Sequence, residues 1–235
     1  MEIKTLMQNN LTTISDTEIS ITPDPTTYCQ KFHTCIDCVK SVEYKCGWCH
    51  NFGCTHKPVL LCPKTNEYAE KSFTNETCPR ILYEHSEGIL VPSGVRINLK
   101  VKIHASDPVI FDKEIICQVK FKDRLTHLRG MILGEVVYCY PIILNNQFKE
   151  VYEGSFQLIW GGVDPFSNEI PITVYQCEVM GTNCDSCMKI RKEYGCGWCD
   201  KTEKCVIADK CSDDYMRWSL NRIMCGNYKR KLYYV

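Results

Sequence analysis

Between Val95 and Val174, apolar and polar residues alternate along several stretches with a period of two. Val95, Ile97, Leu99, Val101 and Ile103 alternate with Arg96, Asn98, Lys100 and Lys102. Ile115, Cys117, Val119 and Phe121 alternate with Ile116, Gln118 and Lys120. Val137 and Cys139 share a face before Pro141, Phe156, Leu158 and Trp160 share one before Gly161-Gly162, and Ile172 and Val174 lead directly into Cys177. Side chains of a strand point alternately to opposite faces, so the pattern predicts five half-buried strands. Short strands at this spacing, with Cys117 and Cys139 at core-facing positions 22 residues apart, predict an immunoglobulin-like β-sandwich over residues 80–176. Trp160 reads as a core residue.

Outside this region the alternation stops and cysteine takes over. Of 235 residues 18 are cysteine, and all but Cys117 and Cys139 fall in two blocks. The first is Cys29, Cys35, Cys38, Cys46, Cys49, Cys54, Cys62 and Cys78; the second is Cys177, Cys184, Cys187, Cys196, Cys199, Cys205, Cys211 and Cys225. The order and near-equal gaps recur, and both blocks carry Cys-Gly-Trp-Cys, at residues 46–49 and 196–199. This is an internal repeat. Modules of about 50 residues bury too little apolar surface to fold securely without staples. The chain therefore divides into residues 29–79 and 177–225 as stapled modules flanking the sandwich. Residues 1–28 are expected to be a remnant strand or flexible tail, with poor order to about Thr27, and residues 226–235 the start of a following domain. Cys117 and Cys139, left outside the blocks, are expected to pair. Trp48 is expected to pack over the disulfides of its module.

Cys35-x2-Cys38 and Cys46-x2-Cys49 also resemble zinc knuckles. Eight cysteines per block, in even number, favour disulfides in an oxidising compartment. The sequons at Asn10 and Asn75 fit an extracellular chain as glycosylation sites. Lys plus Arg and Asp plus Glu are 28 each, so nothing in the charge points to nucleic acid or a membrane surface. Residues 1–10 hold no apolar run of signal-peptide length, and no later stretch approaches a membrane span. The chain reads as an interior fragment of a longer protein. His50 follows Cys49, but a fully stapled module leaves no thiol for a Cys-His nucleophile. No nucleotide, hydrolase or metalloprotease motif occurs. No catalytic residue, metal site or cofactor is expected.

The pattern C-x5-C-x2-C-x7-C-G-W-C-x4-C resembles the PSI module of plexins, semaphorins and integrins. A PSI module, an Ig-like sandwich of IPT/TIG type and a second PSI module resemble the plexin ectodomain, as does the run from Phe156 to Gly162. Spacing alone leaves 105 connectivities open for eight cysteines. The resemblance implies Cys29–Cys46, Cys35–Cys78, Cys38–Cys54 and Cys49–Cys62 in the first module. In the second it implies Cys177–Cys196, Cys184–Cys225, Cys187–Cys205 and Cys199–Cys211. It also implies a non-catalytic stalk segment of a semaphorin receptor at the outer face of the plasma membrane. Semaphorin would bind through a sema domain absent from this chain, leaving adjacent receptor domains as the direct partners. The alternative is an adhesion or integrin-like module that captures a ligand with its own surface.

Overall fold

The computed structural model describes residues 24–41, 43–49, 52–56, 76, 78–83, 88–105, 110–122, 124–146, 151–211, 218–219 and 225. Asn10, His50, Cys62, Asn75 and residues 226–235 lie outside them. The first element among the described residues is a helix, Pro25–Gln30, which begins within the segment expected to be tail. Its start is chemically specified: Pro25 has the φ a first turn needs, and the Asp24 carboxylate accepts from the amides of Thr26 and Thr27, both at 3.1 Å. The tail expectation therefore fails for residues 24–28. A second helix, Cys35–Lys40, is capped by Thr34, whose hydroxyl accepts from the Asp37 amide. Cys-Gly-Trp-Cys follows as strand β1 (Cys46–Cys49), in a hairpin with β2 (Gly53–His56).

The second module repeats this order. Helices Cys177–Met180 and Cys184–Cys187 precede a hairpin of two strands, Cys196–Cys199 and Lys204–Ile207. Asn183 and Ser186 form a reciprocal capping box at the second helix. Such short helices persist because caps and disulfides hold them; helix propagation alone would not.

Between the modules lie β3 (Arg80–Leu82), β4 (Ile89–Pro92), β5 (Arg96–Ile97), β6 (Lys100–His104), β7 (Ile115–Phe121), β8 (Arg124–Leu133), β9 (Val136–Cys139), β10 (Ile142–Ile143), β11 (Val151–Trp160), β12 (Asp164–Pro165) and β13 (Ile170–Tyr175). One hydrogen-bonded path runs β3-β6-β9-β8-β7-β11-β13-β4, with β12 beside β11. The path curls so that both halves turn their apolar faces inward. Val101, Ile103, Val137, Cys117, Val119, Phe156, Leu158, Trp160, Ile172 and Val174 are all buried there. The alternation from Val95 to Ile103 forms two strands where one was expected. β5 pairs with β10, and β6 pairs with β3 and β9. Leu99 between them stays buried, so the alternation continues while the chain changes sheets.

The sheet curls sharply at β8, which pairs with β7 on one side and β9 on the other. In a flat sheet strands two apart would lie about 9.5 Å from each other, twice the usual spacing. Cys117 on β7 and Cys139 on β9 instead have Cα atoms 6.0 Å apart and are disulfide-bonded. Gly130 on β8 is the residue opposite Cys139 and diagonal to Cys117. A Cβ there would sit 3.1 Å from the Cys117 Sγ and 2.9 Å from the Ile115 Cγ2. Its bare backbone gives the bridge its room.

Candidate functional site

The repeated cysteine blocks position their sulfurs in the same way. Disulfides join Cys29 to Cys46, Cys35 to Cys78 and Cys38 to Cys54 in the first module. In the second they join Cys177 to Cys196, Cys184 to Cys225, Cys187 to Cys205 and Cys199 to Cys211. Cys49 is also disulfide-bonded; its expected partner Cys62 lies outside the described residues. In each module one disulfide ties the first helix to the Cys-Gly-Trp-Cys strand and another ties the second helix to the strand paired with it, so the element order and the cross-links reinforce one another. Trp48 is buried in the cluster that holds Cys29, Cys35, Cys38 and Cys54, while Trp198 is half-buried against the cluster of Cys177, Cys187, Cys196 and Cys205.

The sulfurs of Cys29, Cys46 and Cys54 lie within 4.8 Å of one another. All three are in disulfides. Metal binding and nucleophilic attack both use a thiolate, which an oxidised sulfur does not supply. Asp164 is buried at the start of β12 and belongs to the fold of the β11–β12 turn. The sites with most structural consequence are the two places where a module meets the sandwich.

At the first joint, Cys78 and Pro79 lead directly into β3 at Arg80. The Pro79 carbonyl accepts from the Ser167 amide at 2.8 Å. Asn168 then brackets β3: its side-chain oxygen accepts from the Ile81 amide at 2.7 Å and its amide nitrogen donates to the Ile81 carbonyl at 2.9 Å. The His104 ring on β6 reaches the Glu76 carbonyl at 3.0 Å. Beneath these polar contacts one continuous buried cluster includes Cys29, Cys35, Trp48 and Cys78 of the module and Ile81, Phe156, Trp160 and Val174 of the sandwich. Module and sandwich share a core.

At the second joint a single residue, Gln176, separates β13 from the helix beginning at Cys177. Tyr175 turns away from the sandwich core into the second module's cluster with Cys177, Cys187, Cys196 and Cys205. Its ring meets Tyr194 edge-on with centroids 4.9 Å apart, and its hydroxyl donates to the Tyr194 carbonyl. The phenol is pushed up to about 12, chiefly because burial disfavours its anion and secondarily by Tyr194. Around this anchor lies a polar bracket. Ser93, in the turn after β4, donates its amide to the Tyr175 carbonyl at 2.8 Å and accepts at its hydroxyl from the Asn146 amide at 2.9 Å. Gln176 Nε2 donates to the Asn146 carbonyl, and Lys210 Nζ donates to the Ser93 carbonyl at 3.1 Å.

None of Ser93, Asn146, Asn168, Gln176 or Lys210 stands out in the sequence. Their work depends on partners up to 117 positions away. The one available signal is the absence of a linker around Gln176. Among the described residues no helix is long and apolar enough to cross a membrane.

A family model described as the plexin repeat, PSI, matches residues 176–226. The chain is 24% identical over 217 residues to human Plexin-A2, covering 85% of the chain and 11% of that relative. It is 28% identical over 203 residues to human Plexin-A4, covering 81% of the chain and 10% of the relative. The chain thus spans about a tenth of the length of these relatives. A solved structure of the Plexin A4 full extracellular region superposes with a TM-score of 0.64 and 22% identity, over 80% of this chain and 20% of that one. The fold is the same.

Proposed function

We propose, from the chain's relationship to the plexin family, that it is a non-catalytic extracellular stalk segment of a plexin-like receptor. It holds the domains on either side at a set distance and within a narrow range of angles. The observation that carries this reading is the second joint, where only Gln176 lies between strand and helix. With so few free residues and bonds on both flanks, hinge motion is restricted. In the whole receptor semaphorin would bind through a sema domain elsewhere, and the stalk would transmit the geometry of that binding toward the membrane. The neighbouring receptor domains are its direct partners.

The test inserts a flexible Gly-Ser segment between Gln176 and Cys177 within a full-length receptor carrying this chain. The expected result is normal semaphorin binding at the cell surface with reduced signalling. Unchanged signalling contradicts the stalk reading, as does submicromolar semaphorin binding by this chain alone.

The adhesion-module alternative has one observation in its favour. Met131 and Leu133 on β8, Tyr138 on β9 and Tyr140 just after it are all exposed, and Met131 lies opposite Tyr138. An apolar group on an outer sheet face is a place where a partner can dock. Cell-adhesion activity of this chain that is lost in Met131→Asp would favour that alternative.

A further inference from the structure

The two joints are built from different materials. At the first, buried apolar residues of module and sandwich form one cluster. Rotating one body against the other would break that packing and open apolar surface to water, at a cost of about 25 cal/mol for each Å² exposed. At the second, the module has a cluster of its own, joined to the sandwich through Tyr175 and flanked by half-buried Leu90 and Val151. Much of the remaining connection is polar: Ser93, Asn146, Gln176 and Lys210. Such hydrogen bonds can be exchanged for bonds to water at a small net cost each.

We propose that the little bending the stalk allows is confined to one joint: the second module tilts through a small arc about Tyr175–Cys177, and the first module moves with the sandwich as a single block. Tyr175 is the pivot, since its ring and hydroxyl both engage Tyr194 beyond the joint. The polar bracket sets the resting angle and limits the arc. Cys177, immediately after Gln176, is tied to Cys196, so the tilt moves the second module as a body and does not unwind it. The consequence for function is directional: a force along the stalk would change the angle beyond residue 176 and leave that at residue 79 fixed. This inference rests on the stalk reading above.

The test measures distance distributions by pulsed electron spin resonance in the full 235-residue chain. Spin-labelled non-canonical residues avoid disturbing the cysteines. They replace Lys40 and Lys120 to span the first joint, and Lys120 and Lys201 to span the second; all three lysines are exposed. The first distribution is expected to be narrow and the second roughly twice as broad. Gln176→Ala and Lys210→Ala, read separately so that a folding defect in one leaves the other informative, should broaden the second distribution and leave the first unchanged. Equal widths, or a broader first distribution, overturn the proposal while leaving a rigid stalk intact. Widths at both joints as broad as those of a flexible linker overturn the stalk reading itself.

Discussion

Two glycines and one tyrosine carry much of the consequence at the scale of single residues. Gly154 lies in β11, where an added Cβ would stand 2.4 Å from the Lys120 carbonyl oxygen and 2.6 Å from the Phe121 ring. Backbone in the middle of a sheet cannot step aside. Gly154→Ala is therefore expected to destabilise the chain by about 1–3 kcal/mol, or more if β7 and β11 separate. At Gly130 the nearest obstacle is a side-chain methyl at 2.9 Å, so Gly130→Ala should cost less. Urea unfolding without reductant checks both the size and the order. Tyr175 gives a pH signature. Its phenol is near 10 when unfolded and about 12 when folded, so between these values the folded state keeps a proton that the unfolded state has lost. Stability is fully present below pH 10, falls as pH rises toward 12, and then levels off. In Tyr175→Phe that fall should be shallower. Reversible unfolding on a timescale short enough to spare the disulfides is the measurement; an unchanged slope would remove Tyr175 from the account.

At the scale of elements, the legible strands were those with one buried and one wet face. Ile115–Phe121 shows its alternation because Ile115, Cys117, Val119 and Phe121 are buried while the residues between them are not. The longest strand missed was β8, whose ten residues are all exposed or half-exposed. Its inward residues Thr126, Leu128, Gly130 and Ile132 are only half-buried, with Leu128 and Ile132 against the core, while its outward face carries Leu125, Met131 and Leu133, so its sequence lacks the apolar-polar contrast that marks a strand. β3 and β4 have only three and four residues, too few for a period to register. Short helices escaped for the same reason, although Asp24-Pro25 is a readable start signal in retrospect. The bend at β8 also predicts a role for Cys117–Cys139. Replacing both cysteines by alanine removes the staple across the curl and should cost about 2–4 kcal/mol by the chain-entropy argument. Calorimetry should register this as an earlier transition; no change would mean that hydrogen bonding to β8 alone holds the curl.

For the whole molecule, the cysteine repeat announced the modules and the strand pattern announced the sandwich, whereas the joints were nearly silent. A joint is made of contacts between distant positions, such as Asn168 with Ile81 and Lys210 with Ser93, and no local pattern encodes them. What could be read was the lack of a linker before Cys177, and the proposed function rests on it. The shared core at the first joint adds a basis for rigidity that spacing did not suggest. The most direct measurement is backbone 15N relaxation on the deuterated chain, read separately for residues 29–56, 96–175 and 177–211. The account predicts one overall tumbling time for all three sets, with any extra motion confined to small-amplitude tilting beyond Gln176. Three independent, shorter tumbling times would contradict it.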